Sequence, residues 1–344
     1  MWNLPGLIVL ITCGVLIETF IDENSTPWFL IGLPPAAISL VFKAFYGFTN
    51  KLDKLGYILC LISALVAILI NGDERIQPRS SQYIFPSMLI VGGIISYLDS
   101  KRQNPLGTYK SQSKGWDADS DLLMKRIGIP LWVGGLIFLL WAVILTTSTV
   151  LVAPRYGIEN EYLEIFEVMF RIGSLIFGGG QVVLPMLETE VVPKWMTDSQ
   201  FLEGLGLAQS MPGPLFNFSA YLGAVYKGVA GGLVAYVGLF GPGVILIFAI
   251  VPFWARARHI DWFKWALKGI NAAAIGLVGA ACVILWELAI KTTADAMVFV
   301  LAGTLAFVYG LGSPYVVLSG FVFGAILSQD AASLGQVTYC LNAE

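Results

Sequence analysis

The chain has 344 residues, of which 57% are hydrophobic and only 12% are charged. Soluble domains are about 25% charged, so this composition excludes an ordinary soluble protein and predicts one embedded in a membrane. The net charge of −3 indicates little, because in a membrane protein the distribution of charge matters more than its sum. A single histidine, His259, argues against a histidine-based metal site or catalytic triad.

Apolar segments follow one another along the whole chain. A hydrocarbon core of roughly 30 Å needs about 20 helical residues, and several segments reach that length. We therefore predict an all-α, polytopic membrane protein with about ten apolar helical segments. The segments lie at 1–17, 28–48, 55–71, 83–98, 130–153, 166–187, 201–223, 228–251, 269–290, 296–310 and 314–328.

One long hydrophilic stretch, 99–129, divides the chain. It contains six Lys and Arg residues together with Gly, Ser and Pro, a composition typical of a mobile linker. We interpret 1–98 as the rear part of a first transporter repeat, 99–129 as a cytoplasmic linker, 130–328 as a second repeat, and 329–344 as a polar tail.

The two halves resemble each other at one fixed offset. The loop at 22–27 is acidic, whereas its counterpart at 254–268 contains four Lys and Arg residues, so the positive-inside rule puts them on opposite sides. The repeats are therefore predicted to be inverted, an architecture of secondary transporters. The matching pairs are Pro5-Gly6 with Pro242-Gly243, Trp28 with Trp265, and Ala36-Ala37-Ile38 with Ala273-Ala274-Ile275.

In this alignment the partner of 166–226 would lie before residue 1. We expect either that the first repeat lacks its front part or that the sequence is incomplete. Two apolar segments in 166–226 are interrupted, one by Gly178-Gly179-Gly180 and the other by Pro212-Gly213-Pro214. Both runs break a helix, and paired broken membrane segments indicate a transporter's binding site.

Several polar groups near these breaks are candidates for binding an anion. A glycine run that opens a half-helix points backbone N–H groups into one concavity, although small residues also simply allow close packing. Arg171 either supplies positive charge or pairs with Glu167, its i−4 neighbour. The amides of Gln209 and Asn217 either bind substrate or join helices. The candidate binding residues are Gly178, Gly179, Gly180, Gln181, Gln209, Pro212, Gly213, Pro214, Asn217 and Arg171.

Two further acidic residues follow the first break. Glu188 and Glu190 come just after Pro185. They are candidates for proton coupling, but we favour a solvated helix end as the role of both.

The residues around the two breaks resemble the signature of the chromate ion transporter family. The similarity covers 166–328 well, and 1–48 as the rear of a first half. It implies a polytopic protein with two homologous halves that moves chromate, and sulfate has been considered as a substrate. The matching residues are Phe177-Gly178-Gly179-Gly180, Pro185, Ala208-Gln209, Pro212-Gly213-Pro214, Asn217, Tyr221, Gly223 and Gly228.

We therefore predict a multi-pass transporter of a tetrahedral oxyanion in the plasma membrane, with chromate or a sulfate-like anion and the lipid bilayer as partners. A homodimer remains open, and nucleic acid, metal and cofactor are not expected. One alternative is a truncated, non-transporting member that acts as a partner or scaffold. A membrane-embedded transferase is disfavoured, because the apolar segments lack the His and the Asp/Glu clusters that such chemistry needs. We expect no enzymatic activity.

Overall fold

The computed structural model describes residues 3–20, 30–71, 78–103, 130–152, 160–176, 180–181, 183–211, 213–257 and 260–326. Within these ranges the chain forms α-helices and one short 3-10 helix, and no strand, which confirms the predicted all-α class. The helices are α1 (Asn3–Phe20), α2 (Leu33–Thr49), α3 (Lys54–Asn71), α4 (Pro78–Gln103), α5 (Leu131–Val152), α6 (Glu161–Leu175), α7 (Leu184–Val191), α8 (Asp198–Ser210), the 3-10 helix (Leu215–Asn217), α9 (Phe218–Ala257), α10 (Asp261–Ala289), α11 (Thr293–Phe307) and α12 (Ser313–Ile326).

Three helical stretches are long and apolar enough to cross a membrane: Leu131–Val152, Leu215–Trp254 and Asp261–Ala289. The first, α5, leaves most of its apolar side chains uncovered; Trp132 and Leu139, for example, are 69% and 58% exposed. A continuous apolar surface of this kind is unfavourable in water and is ordinary in lipid. The chain is thus an integral membrane protein. The number of spans and the inverted repeat stay predictions.

Helix α9 is a hairpin of two helices rather than one long rod. Its backbone leaves the helical region at Lys227 and at Gly228, where φ is +62° and ψ is −157°. On either side of this reversal, Gly223 contacts Gly231 so closely that a side chain on either residue would overlap the other's carbonyl. The predicted separation of 201–223 from 228–251 corresponds to this reversal.

Two connections are shorter than the sequence suggested. The basic segment 254–268 was predicted to be a loop, but α9 continues to Ala257 and α10 begins at Asp261. Most of its Lys and Arg residues thus lie at helix ends. Apolar residues such as Trp254 and Trp265 lie among them and continue the apolar spacing of the two helices. Likewise α4 continues to Gln103, into the predicted linker. The remainder of that linker lies outside the described residues.

The chain groups into two compact units. Unit 1 takes Met1–Lys51, Gly179–Tyr236 and Val278–Glu344, and unit 2 takes Leu52–Gly178 and Val237–Leu277. In unit 1, α2 packs on α11 and α12 through a core that includes Leu33, Ala36, Ala302 and Val316. Close helix packing through small residues is typical of membrane proteins.

Unit 2 uses the same kind of small-residue contact. Gly92 of α4 lies directly against Gly269 of α10. The hydroxyl of Ser63 on α3 donates to the carbonyl oxygen of Ala273 on α10 at 2.9 Å. These contacts fix α3 and α4 to the first part of α10.

Candidate functional site

Both predicted interruptions are present in the backbone. Helix α6 ends at Leu175 and α7 begins at Leu184, and Gly180 and Gln181 between them form a turn. Phe177, Gly178, Gly179 and Val182 lie outside the described residues. Helix α8 ends at Ser210, and the chain then passes through Gly213, whose φ is +139°, before the 3-10 helix. Pro212 also lies outside the described residues.

The two interruptions meet within unit 1. A Cβ atom placed on Gly180 would lie 3.0 Å from the Cβ of Leu215, the first residue of the 3-10 helix. A Cβ contact of this length is tighter than most that occur in proteins, so the glycine lets the two broken segments lie close together. We call this place the break junction, defined by Gly180, Gln181, Gly213, Pro214 and the 3-10 helix.

Helix α8 leads into the break junction and is held firmly at its start. Thr197 and Gln200 form a capping box, and the buried hydroxyl of Tyr221 donates to the carbonyl oxygen of Gln200 at 2.8 Å. The ring of Tyr221 lies against Gly204, where a side chain would overlap it. The cap and this ring contact together fix the orientation of α8, and therefore the position of Gln209 near its end.

Gln209 joins two helices of unit 1. Its Nε2 donates to the carbonyl oxygen of Ala37 on α2 at 3.1 Å, and its side chain is buried. This is the helix-joining role that the sequence left open beside substrate binding. The same nitrogen carries a second N–H, which is a further hydrogen-bond donor.

Asn217 ends the 3-10 helix and is 3% exposed. Its Nδ2 lies 3.5 Å from the carbonyl oxygen of Asn3 at the start of α1, and its Oδ1 is buried with no hydrogen-bond partner among the described residues. The Oε1 of Gln181 is buried and unpartnered in the same sense. Buried polar atoms without partners are rare in folded proteins and mark places where a ligand or water binds.

Arg171 belongs to unit 2. Its Nε donates to Oε1 of Glu167 at 2.7 Å, and Thr149 of α5 donates to the same carboxylate oxygen at 3.3 Å. Glu167 is 5% exposed, so the pair is well shielded from water. The i,i+4 pair that the sequence offered as an alternative is therefore formed. The other described candidates, Gly180, Gln181, Gln209, Gly213, Pro214 and Asn217, all belong to unit 1.

The environment of the Glu188 carboxyl group differs from the solvated one that the sequence suggested. The favoured interpretation of a solvated helix end is wrong for this residue, because its Oε2 is buried with no hydrogen-bond partner among the described residues. Glu188 lies on α7, outside the three spanning stretches, and burial, then the nearby charge of Asp198, raises its pKa from 4.5 to about 7. The sequence spacing could have predicted this environment. Leu184, Glu188 and Val191 share one helical face, and both aliphatic residues are buried.

Comparison with known proteins gives a consistent picture for the second half of the chain. Residues 163–325 match the sequence model of the family described as "Chromate transporter". A chromate transport protein of Pseudomonas aeruginosa is 32% identical over 180 residues, which cover 51% of this chain and 41% of that relative. A probable chromate transport protein of Synechococcus elongatus is 22% identical over 284 residues, 82% of this chain and 63% of the relative.

A shorter relative also matches. The uncharacterized transporter YwrA of Bacillus subtilis is 24% identical over 173 residues, which cover 47% of this chain and 95% of that relative. The chain spans less than half the length of the Pseudomonas protein that it matches. No solved structure matches the chain significantly. Residues 163–325, which contain both broken segments, are thus similar to the chromate transporter family.

Proposed function

We propose that this chain moves a tetrahedral oxyanion across a membrane, with chromate as the first candidate, and that the anion binds at the break junction. The supporting observation is that the family match includes both broken segments, which contact each other through Gly180 and Leu215. Sulfate has the same shape and charge, so it serves as the natural competitor in any test. The plasma membrane is the proposed location.

The chemistry of the break junction suits an anion that must leave water. A dianion can be desolvated only where hydrogen-bond donors replace its hydration. Backbone N–H groups at a helix interruption lack intrahelical acceptors and are directed into the gap, as they are at helix N-termini. Gln181 belongs to the break junction and its Oε1 is buried without a partner, so a half-turn about its last side-chain bond would put an NH2 donor at that position. The second N–H of Gln209 adds another donor.

The test is uptake of radiolabelled chromate by liposomes that contain the purified protein. We expect the parent to transport chromate and Gly180→Leu to lose most of the flux, because the new side chain would crowd Leu215 and fill the break junction. Gly47→Leu is the matched control, since a Cβ atom added at this exposed position of α2 meets no atom within 4 Å. It should transport like the parent.

Two results would overturn parts of this proposal. If the parent protein gives no more chromate uptake than empty liposomes, the proposal that this chain transports chromate is wrong. Equal flux through Gly180→Leu and the parent would mean that Gly180 only allows close packing. Excess sulfate should slow chromate uptake if the site recognises anions by shape and charge alone.

A second candidate function is that of one half of a larger assembly. It is favoured by the match to YwrA, nearly all of which corresponds to about half of this chain. In this proposal two copies of the chain, or this chain and a related one, complete the transporter. Crosslinking in native membranes followed by mass determination would test it, and a strictly monomeric active protein would contradict it.

A further inference from the structure

Glu188 is a partly exposed residue whose carboxyl oxygen Oε2 is buried, and it is not one of the residues that define the break junction. It lies one turn into α7, on the face that also carries Leu184 and Val191. Its Oε2 is buried, and no described residue donates a hydrogen bond to this atom. A carboxylate in such a place has lost hydration without gaining a donor, whereas the neutral acid is much less penalised.

The charges around Glu188 also oppose its ionisation. Asp198, in the first turn of α8, acts on Glu188 with a like charge. The other charged groups of α7, α8 and their connection are Glu190, Lys194 and Glu203, and each of these has interactions of its own. Burial and Asp198 together raise the pKa of Glu188 to about 7, within the range that a cell uses.

Glu188 also lies close to the break junction along the chain. Helix α7 begins at Leu184, directly after the turn that contains Gly180 and Gln181, and Pro185 lies in its first turn. At 1.5 Å per residue, Glu188 is about 6 Å along the helix axis from Leu184. A change of charge at Glu188 would therefore alter the electrostatic potential at the junction, because the buried Oε2 is shielded from solvent.

We propose that Glu188 binds a proton that crosses the membrane together with the oxyanion. The proposal rests on the proposed transport function. An anion at the break junction makes protonation of Glu188 more favourable, and by linkage a proton on Glu188 strengthens anion binding by the same factor. The proton comes from water on one side, forms an O–H bond at the carboxylate, and leaves to water on the other. No electron transfer or further reactant is involved.

The experiment compares the parent with Glu188→Gln in liposomes loaded with a pH-sensitive dye. With the parent, chromate uptake should acidify the lumen, and the rate should fall between about pH 6 and about pH 8, on either side of the pKa of about 7. Glu188→Gln mimics the protonated acid permanently. Chromate itself binds a proton in this pH range and contributes equally to both proteins, so any flux through Glu188→Gln should acidify the lumen less per chromate and depend less on pH than flux through the parent. Glu161→Gln, at an exposed position on α6, should behave like the parent.

The outcomes separate this proposal from the one on which it rests. If the parent shows no chromate flux, the transport function itself fails. If the parent transports chromate and Glu188→Gln still acidifies the lumen with the same pH profile, only the coupling role fails.

A second measurement covers a variant that folds poorly or does not transport. Infrared titration of the parent in detergent should show a protonated carboxyl band that disappears with a midpoint near 7 and is missing in Glu188→Gln. Glu188→Asp should keep such a band. The lack of any such band in the parent would overturn the proposal regardless of flux.

Discussion

At the residue scale, the pair of Arg171 and Glu167 is a structural ion pair within unit 2. Replacing Arg171 by Met leaves a shielded carboxylate without its cation, and breaking a buried pair in this way typically costs about 3–5 kcal/mol. We therefore expect Arg171→Met to lower the thermal midpoint strongly. The double variant with Glu167→Gln should recover much of the loss.

Chromate affinity distinguishes this role from that of an anion ligand. The recovered double variant should bind chromate about as well as the parent, measured by equilibrium binding to the purified protein. If the double variant regains its thermal midpoint but does not bind chromate, Arg171 contacts the anion.

Glu188 makes stability depend on pH in a defined direction. Its pKa rises from 4.5 to about 7 on folding, so between these values the folded protein holds more protons than the unfolded chain. The free energy of unfolding therefore falls as pH rises through this interval. The full cost of ionising Glu188 in the folded protein is present above about 7. Glu188→Gln lacks that cost, and all other groups titrate alike in both proteins.

The expected result is a thermal midpoint of Glu188→Gln that exceeds that of the parent by more at about pH 8 than at about pH 5. Circular dichroism in detergent gives both midpoints. A constant difference across this range would contradict the raised pKa.

Individual side chains were predictable to different degrees. The i,i+4 spacing of Glu167 and Arg171 was enough to suggest their pair as one of two alternatives. The contact of Gln209 with Ala37 was not predictable, because it joins helices far apart in sequence. Glu188 was misread because two carboxylates after an apolar segment suggest solvent, although its spacing from Leu184 puts it on a buried face.

At the scale of elements, the reversal inside α9 depends on one glycine. Gly228 has φ +62° and ψ −157°, a region that residues with a Cβ avoid, and no atom lies within 4 Å of a Cβ added there. Gly228→Ala should therefore cost roughly 1–3 kcal/mol of stability through backbone strain alone. Gly243→Ala is the control, since it has equal space and no positive φ. Equal midpoints for the two variants would contradict the hairpin.

Helix positions were predictable from hydropathy, and helix ends were less so. Apolar runs located most of the described helices approximately, and the glycine and proline runs located both breaks. Helix α7 is an exception, because it continues to Val191, beyond the predicted segment 166–187. The loop at 254–268 was predicted too long, because Lys and Arg near Trp254 and Trp265 are compatible with a helix that reaches the membrane surface. Charge alone does not end a helix.

At the scale of the molecule, the predicted orientation can be tested by labelling single cysteines in a variant without native cysteines. We expect a cysteine at Ser113 to react only from the cytoplasm and one at Glu161 only from outside. Glu161 is preferable to Asn160, whose side chain caps α6 by accepting from two backbone N–H groups. Reaction of both positions from the same side would contradict the inverted arrangement.

The most direct measurement of the central claim is equilibrium binding of radiolabelled chromate to purified protein in detergent, because binding does not require a complete transport cycle. We predict saturable binding to the parent and to Gly47→Leu, displaced by excess unlabelled chromate. Gly180→Leu, whose larger side chain would crowd Leu215 and occupy the junction, should not bind. Equal binding by Gly180→Leu, in a protein that is folded like the parent, would contradict an anion site at the break junction.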